Sequence, residues 1–319
     1  MSTVILAGAQ RFEPTIGAAL AELGVRGTIA LVTAGWQERE SEDEELVVHL
    51  AEHVGGGTVN LNLHARAEAV FAADPELREA HYTRQRTLRH KQDFYRIRLE
   101  NELNADHVIR QRNAPDELLT EEANVSLQAI RILDEYHLGE CARIHREFEA
   151  EHRFLDNPHI ARERAEIAEA LAGASTIAIA GGHVASLLNR LRLFGIAELL
   201  DHTVVAWSAG AMAIASRVVL FHDDPPQGPG ASEVLDRGLG LVRGVVPLPQ
   251  PETRLRLDDP ERVGLLASRF APALCVALPA RSTVLIQDGA VKRVAGPQVL
   301  ARDGSVHALR VGPIPVEER

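Results

Sequence analysis

The chain has 319 residues, 45% of them hydrophobic and 25% charged, with a formal net charge of −11. A chain of this length and apolar content buries roughly three quarters of its unfolded surface, which excludes disorder as the main state. Two cysteines, Cys141 and Cys275, exclude a disulfide scaffold and point to a reducing, cytoplasmic setting.

The acidic balance argues against a protein whose main task is holding nucleic acid. The segment from Met1 to Gly8 has no basic region and no long apolar stretch, so no signal peptide is expected. No apolar run approaches the roughly 20 residues of a membrane helix, so no membrane association is expected either.

Elements alternate in type along the first sixty residues. Thr3 to Leu6 is a short apolar run ending in Ala7-Gly8-Ala9, a strand and a tight turn. Ile16 to Leu23 has helical spacing. Thr28 to Val32 reads as a second buried strand, ending at Thr33-Ala34-Gly35. Ser41 and Glu44 form a capping-box pattern before a helix through Val54, and Thr58 to Leu63 is a third strand.

From about Ala65 to Arg164 no strand pattern is present. Tyr95, Leu99 and Leu103 recur at helical spacing, as do Ala123, Leu127 and Ile130. Three or four helices are expected, with turns near Asn113-Ala114-Pro115 and Asn157-Pro158. Strands resume at Thr176 to Ala180, followed by Gly181-Gly182-His183 and a helix from Val184 to Leu193. Further strands are expected at 203–206, 218–221, 273–278, 283–287 and 291–294, with Asp288-Gly289 as a hairpin turn. The fold class is therefore α/β, with a central, mostly parallel sheet covered by helices on both faces. Residues 1–64 and 165–319 form that domain, and 65–164 an all-helical insertion.

The sharpest chemical feature is Ala206-Trp207-Ser208-Ala209-Gly210. An apolar strand leads in and a small-residue helix leads out, the context of a nucleophile elbow. Such a turn exposes a side chain in a strained conformation, and small neighbours let the two backbones meet. An ordinary helix cap is the plainer explanation of the same serine.

Trp207-Ser208-Ala209-Gly210-Ala211 resembles the nucleophile motif of the dipeptidase E and cyanophycinase family of serine peptidases, and Ala180-Gly181-Gly182-His183 with Leu187, Leu188 and Leu191 resembles that family's Gly-Gly turn and Leu-rich helix. The resemblance covers about residues 4–63 and 175–294 and implies a class I glutamine amidotransferase-like, flavodoxin-like sheet. It also implies that Ser208 is the nucleophile, with the backbone of Gly182 and Ala209 as oxyanion donors. Gly181, His183, Trp207 and Gln250 would contact substrate.

Asp223 follows the serine at the spacing of the family's acid, and His222 beside it is the local candidate base. The chain departs from the family pattern in two places. Gln250 stands where its histidine is expected, after Gly238-Leu239-Gly240-Leu241, and no acidic residue lies near Pro279 to Arg281. The expected function is a serine-type hydrolase of a peptide or small amide, without cofactor or metal. The alternative is a non-catalytic relative that binds a ligand or partner through the insertion.

Three weaker patterns remain. His137, Cys141 and His145 recur every fourth residue, either as metal ligands or as an ordinary exposed polar face. Residues 81–113 hold eight Arg and Lys against four Asp and Glu. Nucleic-acid binding is one reading of that stretch, but a salt-bridged face, a lid or a homodimer contact fits better. Finally, Ser208, Asp288 and His307 have the chain order of an α/β-hydrolase triad.

Overall fold

The computed structural model describes residues 3–225 and 230–315. β1 (Thr3–Ala7), β2 (Thr28–Val32) and β3 (Thr58–Asn60) alternate with α1 (Ile16–Glu22) and α2 (Glu44–His53). Four helices follow: α3 (Leu63–Ala73), α4 (Pro75–Arg110), α5 (Asp116–His152) and α6 (Pro158–Ala172). Next come β4 (Ala174–Ile179), α7 (Val184–Leu193), β5 (Thr203–Trp207) and α8 (Ala209–Ile214). The rest is mostly strand: β6 (Arg217–Leu220), β7 (Glu233–Arg237) and β8 (Val245–Pro249), with α9 (Pro251–Arg254) and α10 (Pro260–Phe270) after them. β9 (Leu274–Leu278), β10 (Thr283–Gln287), β11 (Ala290–Ala295), β12 (Gln298–Leu300), β13 (Val306–Ala308) and β14 (Gly312–Pro313) complete the order.

The main sheet has eight strands in the order β14-β11-β10-β1-β5-β4-β2-β3. β1, β5, β4, β2 and β3 run parallel, and β10, β11 and β14 extend the sheet antiparallel. The parallel strands are near-continuous apolar runs because both faces are covered. Alternation sorts their side chains. Val4 and Leu6 enter one core with Phe71, Ile160, Ile167, Leu187 and Leu191. Ile5 and Ala7 enter the opposite core with Ile16, Leu20, Leu50 and Val54. The expected strands at 218–221 and 273–278 form as β6 and β9, but outside the main sheet: β9 belongs to a second sheet, β13-β12-β9-β8, and β6 pairs with β7. Asp288 and Gly289 form the expected hairpin turn, both at positive φ (49° and 73°).

The helical stretch holds four helices, with breaks at both expected turns. α3 and α6 pack on the sheet, since Leu63, Phe71, Ile160, Ile167 and Leu171 belong to its core. Only the α4–α5 hairpin leaves it. Asp74 and Asn157 start α4 and α6 by the same device: the side chain accepts backbone N–H groups of the first turn, and proline occupies the next position. Asp259 does the same for α10. The expected Ser41–Glu44 box does not form. α2 begins after Asp43, whose carboxylate accepts instead from Asn60 Nδ2 at 2.8 Å.

A buried polar network fastens the hairpin to the body. Arg269 on α10 donates Nε to Asp134 Oδ2 (2.7 Å) and Nη2 to Asp134 Oδ1 (2.6 Å), with both side chains 2% exposed. Tyr95 Oη donates to Asp134 Oδ1 (2.7 Å) and accepts from Arg269 Nη2 and the backbone N–H of Val234. The remaining Arg269 nitrogen, Nη1, donates to Ser232 carbonyl oxygen. Burial alone would lower the Arg269 pKa, but the Asp134 carboxylate raises it and keeps the guanidinium charged. Every member is paired, so α4, α5, α10 and the β7 entry are fixed in one relative position.

The face of α5 bearing His137, Cys141 and His145 is neither exposed nor arranged around a metal. It is buried against β7. His137 Nε2 bonds Leu235 carbonyl oxygen (3.2 Å), and His145 Nε2 bonds Asp236 Oδ2 (2.7 Å). Burial pushes the Cys141 thiol up to about 12, and its Sγ lies 3.6 Å from His137 Nε2. Three of the eight basic residues of the stretch 81–113 are paired within the chain, through Lys91–Glu140, Arg96–Glu233 and Arg110–Asp106.

Asp134→Ala leaves a buried guanidinium without its carboxylate and is expected to cost about 3–5 kcal/mol in urea unfolding. A loss below about 1 kcal/mol would show that the network does not anchor the hairpin. A second expectation concerns acid. Burial, then Arg84, pushes the His81 imidazolium down to about 3, against about 6.5 for an unfolded histidine. Below pH 6.5 the unfolded chain therefore binds the extra proton first, and stability falls until about pH 3. His81→Gln keeps an acceptor for Arg84 Nη2, which lies 3.0 Å from His81 Nδ1. It should lose ~2 kcal/mol less than the parent between pH 7 and pH 5. Equal losses would place the acid sensitivity elsewhere.

Candidate active site

β5 is apolar to its last residue, Trp207, and α8 starts at Ala209. Between them Ser208 adopts φ 51°, ψ −125°. A side chain in this region costs about 1–3 kcal/mol, so its surroundings must hold it there. They do so by excluding alternatives. A Cβ on Gly181 would lie 2.7 Å from Ser208 Cβ and 3.5 Å from Ser208 Oγ. The turn after β4 therefore presses backbone against the serine, and glycine is what fits.

That turn is itself locked to the one after β2. Gly182 has φ 113°, with Gly35 carbonyl oxygen against its α-carbon where a side chain would stand. His183 N–H donates to the same Gly35 carbonyl oxygen (2.7 Å). Ser208 thus ends the strand between β1 and β4, where helices leave on opposite faces: α1 after β1, and α7 and α8 after β4 and β5. In open α/β sheets this reversal at the carboxyl ends of the strands leaves a crevice for ligands.

Ser208 is half-buried, and its Oγ makes no hydrogen bond among the described residues. The backbone N–H groups of Gly182 and Ala209 likewise have no acceptor among the described residues. Two unspent donors beside an unspent hydroxyl are what an oxyanion site requires.

The sequence reading misses a polar chain along this rim. Gln37 Nε2 donates to Ser186 Oγ (2.8 Å), and Ser186 Oγ bonds His183 Nδ1 (3.0 Å). His183 Nδ1 also accepts Ser186 N–H (3.1 Å), capping α7. With Nδ1 accepting, the neutral ring carries its proton on Nε2, so exposed His183 offers the site a donor. Gln37 shares the unusual backbone of Ser208, with φ 59°, ψ −125°. Its only sequence signal is its place after Gly35, at a strand end.

Asp223 and His222 sit together in the loop after β6 but are not bonded to each other. The Asp223 carboxylate accepts Arg256 N–H (2.7 Å) and Arg262 Nη1 (2.9 Å), and its own N–H donates to Arg254 carbonyl oxygen. It latches the segment joining α9 and α10. His222 Nδ1 is buried without a partner among the described residues. Gln250 ends β8 in a left-handed conformation (φ 56°, ψ 47°), and its N–H donates to Leu278 carbonyl oxygen. The next residue, Pro279, packs on Gly8 at the end of β1, so Gln250 lies on the same rim as Ser208. Trp207 is buried in the core beside α1, beneath the site rather than on its surface.

The Ser208–Asp288–His307 combination is not assembled. Asp288 follows Gln287, which pairs with Thr3 at the start of β1, whereas Ser208 follows Trp207, which pairs with Ala7 at the other end of that strand. His307 lies on β13 of the second sheet and bonds Ser305 Oγ. Elsewhere, the ligating atoms of His49, Glu52 and His53 on α2 lie within 4.8 Å of one another, but His49 Nε2 already accepts Gly17 N–H (3.1 Å).

No protein-family model and no curated protein sequence matches this chain. The class is therefore defined by architecture: an α/β protein with a mixed, mostly parallel eight-stranded sheet and a long helical hairpin. No helix among the described residues is long and apolar enough to cross a membrane.

Gly181→Ala sets a methyl against Ser208. Relieving it requires a backbone shift, and a stability loss of about 1–3 kcal/mol is expected. A variant as stable as the parent would show that the close approach does not hold the Ser208 turn.

Proposed function

We propose that the chain is a serine-type hydrolase acting on a peptide or amide bond. The observation that carries this reading is the backbone of Ser208, held by Gly181 with its hydroxyl unspent. The resemblance of the Ser208 and Gly181-Gly182 segments to dipeptidase E and cyanophycinase supports it. Ser208 Oγ attacks the carbonyl carbon, and the N–H groups of Gly182 and Ala209 take the developing oxyanion. A base accepts the hydroxyl proton and returns it to the leaving amine, and water then releases the acyl group. His222 is the base in this reading, with a ring nitrogen not yet committed. His183, a donor through Nε2, contacts substrate.

Two observations favour a second reading, in which the pocket binds without chemistry. Asp223 spends its carboxylate on Arg262 and Arg256 rather than on an imidazole, and Gln250 occupies the rim position of the expected histidine.

A fluorophosphonate probe is expected to label the protein covalently and to leave Ser208→Ala unlabelled. Equal labelling of both, or none of either, favours the binding reading. With His222 as the base, Gln250→His is expected to leave amide hydrolysis unchanged, and a gain of up to about 100-fold would instead show a site that lacks only its base.

A further inference from the structure

The outer side of the α4–α5 hairpin carries apolar side chains that nothing among the described residues covers. Phe94 and Ile97 on α4, and Leu118, Val125, Ile132 and Tyr136 on α5, are each more than half exposed. The α5 residues are spaced seven, seven and four apart, which places them within one narrow stripe. On α4 the stripe runs through Phe94, Ile97, Asn101 and Val108, with spacings of three, four and seven. Phe94, Arg98, Leu133 and Tyr136 line the groove between the helices, and the Arg98 guanidinium lies 5.7 Å from the Tyr136 ring centre. Both stripes therefore border one outward groove, which Tyr95 also lines, opposite the faces that Leu99, Ile130 and Leu138 bury.

We infer that this face docks a second copy of the chain, forming a four-helix bundle about a two-fold axis. Charge selects the occupant. α4 holds eight Arg and Lys against six Asp and Glu, whereas α5 holds three against ten. Along the stripes, Arg86 and Arg98 on α4, and Glu117, Glu121 and Glu122 on α5, are in no ion pair among the described residues. A two-fold rotation that lays α4 over the partner's α5 brings basic helix to acidic helix twice. Laying α5 on α5 would repel, so the face is complementary to itself in that one arrangement.

The size also fits. Helices of 36 and 37 residues are about 55 Å long, and two side by side are about 20 Å wide, giving about 1,000 Å² per copy. That area reaches the range of stable homodimers. The Arg269–Asp134–Tyr95 network holds the hairpin rigid, so docking needs little ordering.

The test is mass in solution by light scattering at tens of micromolar, on the full chain. The parent should have the mass of two chains. Val125→Asp with Ile132→Asp should run as one chain, with the circular dichroism and melting temperature of a folded protein, since both residues are exposed. Phe12→Asp, at an equally exposed apolar residue outside the face, should remain dimeric. Glu121→Lys with Glu122→Lys should weaken the dimer at least tenfold, and adding Arg86→Glu with Arg98→Glu should recover it. A parent of one-chain mass, a dimer that survives the Val125 and Ile132 changes, or a charge reversal without effect overturns the proposal.

Discussion

Everything at the candidate site depends on three stretches of backbone lying closer than side chains permit. The turn after β4 presses on Ser208, and the turn after β2 presses on the turn after β4. Because Gly182 meets Gly35 backbone to backbone and Gly181 meets the Cβ of Ser208, the contacts hold without relying on rotamers. They keep Ser208 in a conformation that the residue would not adopt alone. The same contacts leave the N–H groups of Gly182 and Ala209 without acceptors among the described residues. Steric exclusion and the unspent hydrogen-bonding capacity of the site are one arrangement seen from two sides.

The hairpin is attached on a different principle. Its inner face is apolar along much of its length, but its position is fixed by a paired, nearly water-free cluster of Arg269, Asp134 and Tyr95. Such a cluster adds little net stability over an apolar substitute and tolerates no partial removal. It favours one placement of two long helices that apolar contact alone would let slide. The outer face, freed from packing on the body, is then presented as a fixed surface.

Parts of the site were legible because they are contiguous. Ser208 with its small neighbours, and Gly181-Gly182, each occupy a few consecutive residues, and a strand-to-helix turn leaves a local trace. Asp223 was legible only as a spacing. Its actual partners, Arg256 and Arg262, lie more than thirty residues further on, and no local pattern marks them. The Gln37–Ser186–His183 chain was invisible for the same reason, since it joins loops 149 residues apart. His137, Cys141 and His145 showed the converse. Their spacing placed them on one face correctly, but spacing cannot say whether that face meets metal, water or a strand.

The sequence by itself determined the class of fold. Unbroken apolar runs of four residues, alternating with helical spacing, require a parallel sheet covered on both sides, and Asx-Pro pairs mark where helices begin. These are properties of neighbouring residues, and local sterics and periodic burial act at that range. Only the tertiary structure decided which strands share a sheet, that the buried face of α5 meets β7, and that Asp223 is held by arginine. Those outcomes depend on which distant surfaces come together. Desolvation and charge pairing are settled by the neighbours a group acquires in space, and the order of residues along the chain does not record them.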